Sequence, residues 1–181
     1  VWKPVHKEFQ NRGIEVSWSL YMVRGAGTQN HYNYVTVSVY DGLESLDNDQ
    51  SLFNEIISKV YSNEELDGFW NRTSEARSHN GQDIFFVYDQ ALKGNNKELS
   101  AFSSGKIGQD ITVTFMQTLA GQDAVGLESK WWKPIHKERI KRRVVNSWEV
   151  LTKRFVSLGQ TKLDHDYVTW ENYTTFSTID D

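Results

Sequence analysis

Apolar and polar residues alternate from Ile14 to Met22, with Ile14, Val16, Trp18, Leu20 and Met22 separated by Glu15, Ser17, Ser19 and Tyr21. A period of two is that of a strand burying one face. Residues 32–40 continue the alternation, and Arg24-Gly25-Ala26-Gly27-Thr28-Gln29-Asn30 has turn composition, so the two stretches read as a hairpin. The period then becomes helical. Residues 51–61 place Leu52, Phe53, Ile56, Ile57 and Val60 on one stripe, and a second helix is expected over 63–78. Asn80-Gly81 is a turn, and strands are expected over 84–88 and 111–117. Ala124, Leu127, Trp131 and Ile135 fall on one face of a helix over 121–142, which should kink near Pro134 because proline removes a backbone donor. Strands over 144–156 and 165–173 follow, joined by a turn near Leu158-Gly159-Gln160.

Sliding the chain against itself by 130 positions aligns residues 1–21 with 131–151, and nine of those 21 pairs are identical. Trp2-Lys3-Pro4-Val5-His6-Lys7-Glu8 matches Trp132-Lys133-Pro134-Ile135-His136-Lys137-Glu138, and Arg12, Ser17 and Trp18 match Arg142, Ser147 and Trp148. The match resumes at an offset of 133, where Tyr34-Val35-Thr36 meets Tyr167-Val168-Thr169 and Tyr40 meets Tyr173. A three-residue change in a turn costs little.

The element order is that of the ferredoxin-like plait. The expected fold is α+β: two ferredoxin-like βαββ units in tandem, forming an intrachain pseudo-dimeric α+β barrel of antiparallel sheets with helices outside. The first unit is expected over 1–93 without its first strand, a Gly/Ser/Asn-rich linker over 94–109, and the second unit over 110–181 without its C-terminal part. That asymmetry is expected of a fragment of a longer protein, or of a chain completed by a partner.

The run Trp-Lys-Pro-[Val/Ile]-His-Lys-Glu, followed by Ser-Trp on the next strand and by Tyr-x-Tyr-Val-Thr or Tyr-Val-Thr on its partner, resembles duplicated proteins of marine and soil Bacteroidetes. These are similar to the dimeric α+β-barrel superfamily, which includes NIPSNAP proteins and antibiotic-biosynthesis-type monooxygenases. The resemblance implies the fold and, for many members, an export signal and a periplasmic or extracellular location. It carries over no catalytic residue, because no monooxygenase or haem-degradation motif matches.

Composition narrows the chemistry. The 181 residues include no cysteine, which excludes thiol nucleophiles, Cys-ligated zinc, iron–sulfur clusters and disulfides. With 24 acids against 20 bases, nothing in the overall charge favours nucleic acid, and the basic run 137–143 reads as a solvated helix end. No stretch approaches a membrane span. The five histidines form no His-x-His or His-x3-His pair, and residues 164–166 (Asp-His-Asp) point to alternate faces if extended, so no metal site is expected. No nucleotide or hydrolase fingerprint is present, and no cofactor is implied.

Two sets of residues are site candidates. Trp2/His6 and Trp132/His136 are each four residues apart and share a helix stripe. His6 and His136 are the catalytic candidates, as imidazoles able to bind or protonate a ligand. The alternative is that the cluster fixes helix packing on Trp18 or Trp148. On the sheet, Val35, Val37 and Val39 are expected beneath the helices. That would leave Tyr34, Thr36, Ser38 and Tyr40, with Tyr167, Thr169, Glu171 and Tyr173, facing a barrel interior. Trp2, Tyr34, Tyr40, Trp132, Tyr167 and Tyr173 are thus the expected ligand-binding residues, for a small aromatic or lipophilic molecule. A filled barrel is the alternative. Three functions stand: small-molecule binding, a cofactor-independent monooxygenase or haem-handling enzyme, and a structural or assembly subunit, homo-oligomer included.

Overall fold

The computed structural model describes residues 2–24, 33–46, 50–79, 81–93, 110–155 and 165–173. The expected hairpin turns after Arg24 and near 158–160, and the linker over 94–109, lie outside them. The protein is α+β, with helices and two antiparallel sheets, and its chain divides into compact units Val1–Asn80 and Gly81–Asp181. Among the described residues no helix is long and apolar enough to cross a membrane.

In the first unit, α1 (Lys3–Asn11) has Pro4 in its first turn, where a missing N–H leaves no intrahelical bond unmade. Strands β1 (Ser17–Met22) and β2 (Tyr34–Val39) form an antiparallel pair in the register Trp18↔Ser38. A 3-10 turn (Leu43–Leu46) leads to α2 (Gln50–Val60) and α3 (Asn63–Ala76). Ser62 caps α3 reciprocally, its Oγ accepting from the Glu65 N–H while the Glu65 carboxylate accepts from the Ser62 N–H. Val5, Ile56, Ile57 and Phe69 form a buried core, with Trp2, Phe9, Leu52 and Phe53 packed against it. The predicted stripe of α2 therefore meets α1.

In the second unit, β3 (Ile84–Leu92), β5 (Val145–Phe155), β6 (Tyr167–Tyr173) and β4 (Ile111–Met116) lie side by side in that order, every pair antiparallel. Strand β3, expected to close the first unit, is instead hydrogen-bonded to β5. The expected single helix is divided into α4 (Ala124–Leu127), a π-helical turn (Glu128–Trp132) and α5 (Lys133–Lys141). Pro134 sits in the first turn of α5, and the wider turn before it absorbs the bond that the proline cannot make.

Both repeated helices end alike. The Gly13 N–H bonds to the Gln10 carbonyl and the Ile14 N–H to the Phe9 carbonyl; the Arg143 N–H bonds to Ile140 and the Val144 N–H to Arg139. This Schellman ending needs a left-handed residue, and Gly13 (φ 70°) and Arg143 (φ 64°) supply it.

Candidate functional site

In each unit the motif histidine lies flat on the next strand's tryptophan. His6 stacks on Trp18 with ring centroids 4.5 Å apart and planes at 11°, and His136 stacks on Trp148 at 5.0 Å and 9°. The preceding tryptophans tilt onto the same imidazoles, Trp2 at 6.2 Å and Trp132 at 6.1 Å.

The carboxylates at the two imidazoles come from different places. His6 Nδ1 faces the Glu15 oxygens at 3.1 and 3.2 Å, and the Glu15 side chain is 1% exposed. The repeat puts Val145 at that position. In the second unit Glu171, which occupies the position of Ser38, lies 3.6 Å from His136 Nε2. Glu171 also accepts from the Tyr173 hydroxyl at 2.6 Å and from Arg139 Nη1 at 2.9 Å. In the first unit the matching pair is Tyr40 and Ser38, joined by a side-chain hydrogen bond.

The proton arrangement follows from the donors. Arg139 Nη1 lies 3.1 Å from His136 Nδ1, and a guanidinium only donates, so Nδ1 accepts and the proton sits on Nε2. His136 is therefore neutral, and burial moves its pKa from the ordinary 6.5 down to about 4, against the pull of Glu171. His6 is oriented the other way: its Nδ1 faces a carboxylate and donates. His136 is 3% exposed, closed over by Trp148, Arg139 and Glu171.

The expected ligand-binding tyrosines separate. Tyr34 is 60% exposed at the start of β2, while Tyr167 and Tyr173 belong to the buried cluster of Ala91, Ile140, Val145, Trp148 and Val150. Tyr167 is bonded to the Glu128 side chain, and burial raises the pKa of both. Tyr40 is half-buried beyond β2, its pKa also raised by burial. Residues directly opposite in an antiparallel pair share a face. Ser38 pairs with Trp18 and Glu171 with Trp148, the residues under the histidines, so Thr36, Ser38, Thr169 and Glu171 face the helices. The expectation had this face reversed, with the valines beneath the helices.

The other face of β5 and β6 carries Ser147, Glu149, Leu151, Val168, Trp170 and Asn172, and all six are buried. Ser147 and Asn172 are directly opposite, and neither Ser147 Oγ nor Asn172 Oδ1 has a hydrogen-bond partner among the described residues. Ser17, which matches Ser147, is likewise buried at Oγ and unbonded there. Glu149 beside them is fully buried. One signal for this set was legible in the sequence: an acid, Glu149, between Trp148 and Val150, where the first copy has Ser19.

A third feature is on the surface. Of the apolar stripe read from the sequence, Leu127, Trp131 and Ile135 are 47%, 61% and 48% exposed, while Ala124 packs against the buried cluster; Trp132 beside the stripe is 50% exposed. Its counterpart on α1 is covered: Val5 is fully buried, and Trp2 meets Phe53, Phe69 and Trp70, with the Arg77 guanidinium over its ring.

Comparisons with protein-family models, with curated proteins and with solved structures gave no match.

Proposed function

We propose that this chain is a protein-binding assembly subunit, built as two tandem ferredoxin-like units of the α+β-barrel class and engaging its partner through the outer face of α4 and α5. The observation that carries this reading is the exposure of four large apolar side chains, Leu127, Trp131, Trp132 and Ile135, within one short helical stretch. Scattered exposed apolar residues are ordinary, but four within three turns, two of them tryptophans, mark an interaction site, because a buried indole contributes much of an interface's energy. The tandem reading is supported by the repeated His–Trp stack, the repeated helix ending and the β4–helix–β5–β6 order of the second unit. The test is a photo-crosslinking residue placed at Trp131 in the full chain within its host, with a control at Lys137, exposed on the side of the same helix away from Ile135. Discrete adducts from position 131 and none from 137 are expected. No adduct from either position would sink the assembly reading.

A second reading, small-molecule binding, is favoured by Ser147 and Asn172. Unbonded buried polar atoms cost stability unless something satisfies them, and a ligand with a donor group on the helix-distal face would do so. N-phenyl-1-naphthylamine, a neutral lipophilic amine, is a suitable fluorescent probe. Saturable binding that weakens at least about tenfold in a Ser147→Val/Asn172→Leu variant with an unchanged or higher unfolding midpoint supports this reading. Absence of binding to the wild type removes it.

A further inference from the structure

The internal repeat gives the exposed face of the second unit a covered counterpart in the first. In the first unit the motif helix binds α2 through two kinds of contact. Val5 and Trp2 meet Ile56, Ile57 and Phe53, and two charges beside them are shared across the helices. Glu8 accepts from Lys59 Nζ at 2.6 Å, and Arg12 donates to Glu55 at 2.9 Å while also pairing with Glu8 at 2.9 Å. Lys59 holds the Glu8 carboxyl down at about 2, with help from Arg12.

In the second unit α5 carries the matching residues, and among the described residues no helix packs on them as α2 does on α1. Ile135 stands where Val5 does, 48% exposed against fully buried. Glu138 and Arg142 repeat Glu8 and Arg12 and form the same 2.9 Å pair, but their side chains are 48% and 71% exposed, against 11% and 25%. Among the described residues the only other cation within reach of Glu138 is Lys141, at 3.9 Å on the same helix. One contact is not repeated: Phe9, which meets Phe53, is replaced by Arg139, engaged with Glu171. Resting on the assembly reading above, we propose that the outer face of α5 docks an amphipathic helix with the pattern of α2. Such a helix presents adjacent apolar residues to Ile135 and Trp132, with an acid and a lysine four residues apart opposite Arg142 and Glu138. Charge complementarity selects this partner over a merely apolar one, because the Glu138/Arg142 pair orders the incoming acid and lysine along the helix.

The absence of cysteine makes a direct test available. A Lys141→Cys variant of the full chain, labelled beside Glu138 with an environment-sensitive fluorophore such as acrylodan at that one position, reads docking at the second unit and keeps both exposed tryptophans. The probe is a peptide of residues 50–60, stapled between positions 54 and 58, which are exposed on α2. A saturable blue shift is expected. Adding Ile135→Glu should weaken binding at least about tenfold, and Glu138→Lys about fivefold. A Lys59→Glu peptide should recover affinity for the Glu138→Lys chain. No shift with the helical peptide, or a shift indifferent to both substitutions, overturns the proposal. So does self-association of the chain that Ile135→Glu abolishes and the peptide does not compete, which would assign the face to a second copy. If crosslinks from position 131 persist while the peptide fails, the partner chemistry is wrong and the assembly reading stands.

Discussion

The imidazole of His136 lies flat on the indole of Trp148, 5.0 Å between centroids and 9° from parallel, and both side chains are almost wholly buried. The stack joins α5 to the centre of its sheet. Removing the indole leaves a large void under the helix and exposes the imidazole. Trp148→Ala is expected to lower stability by about 3–5 kcal/mol. Trp18→Ala should cost less, because Trp18 is only half-buried in the same stack. Urea unfolding followed by circular dichroism checks this, and equal losses would contradict it.

Acid should weaken the fold in a window set by His136. Its pKa is depressed in the folded state, from 6.5 to about 4, so between those values the unfolded chain takes up a proton that the folded one refuses. Its contribution is complete above pH 6.5 and is lost progressively as pH falls towards 4, at up to about 1.4 kcal/mol per pH unit. Glu8, depressed from 4.5 to about 2, acts in a lower window, its stabilisation being present above 4.5 and lost below. A His136→Gln chain should show a flatter stability profile between pH 6.5 and 4, with the loss below 4.5 retained.

The left-handed helix ending gives a paired prediction of opposite signs. Gly13 adopts its φ of 70° freely, whereas Arg143 at 64° brings its Cβ close to a carbonyl. That conformation costs a non-glycine residue about 1–2 kcal/mol. Arg143→Gly should therefore raise the unfolding midpoint, and Gly13→Arg should lower it. Thermal unfolding of the two variants compares them directly, and a fall with Arg143→Gly would show that its side-chain contacts outweigh the strain.

Periodicity located the elements well, because in most of them one face is buried and the pattern records it. Helix α2 was expected over 51–61 and spans Gln50–Val60, and β4 was expected over 111–117 and spans Ile111–Met116. The orientation of the hairpin strands was not legible. On β6 both faces are buried, so alternation carries no sign of which one meets the helices; the Trp148↔Glu171 pairing decides it. The pairing of β3 with β5 was hidden because a strand's partner depends on contacts distant in sequence. The histidines were found from the repeat, but their carboxylates were not. Glu15 and Glu171 sit at different repeat positions, each matched by an uncharged residue in the other copy, so the alignment shows two unrelated substitutions where the structure shows one exchanged role.

That exchange yields the last prediction. Glu171 accepts from Tyr173 and Arg139 and lies beside His136, so one carboxylate holds a helix residue and a strand residue around the imidazole. Glu171→Gln keeps the shape and removes the charge. Hydrogen bonds to an ionised group contribute about 1.5–3 kcal/mol, and a loss in that range is expected on unfolding. The substitution also has a spectroscopic signature that a simple packing defect lacks. Glu171 raises the His136 pKa against desolvation, so without its charge the imidazole should titrate at lower pH. Following the His136 ring protons by NMR distinguishes the cases: a shift to lower pH supports the electrostatic role, and an upward shift would mean that water has entered the site.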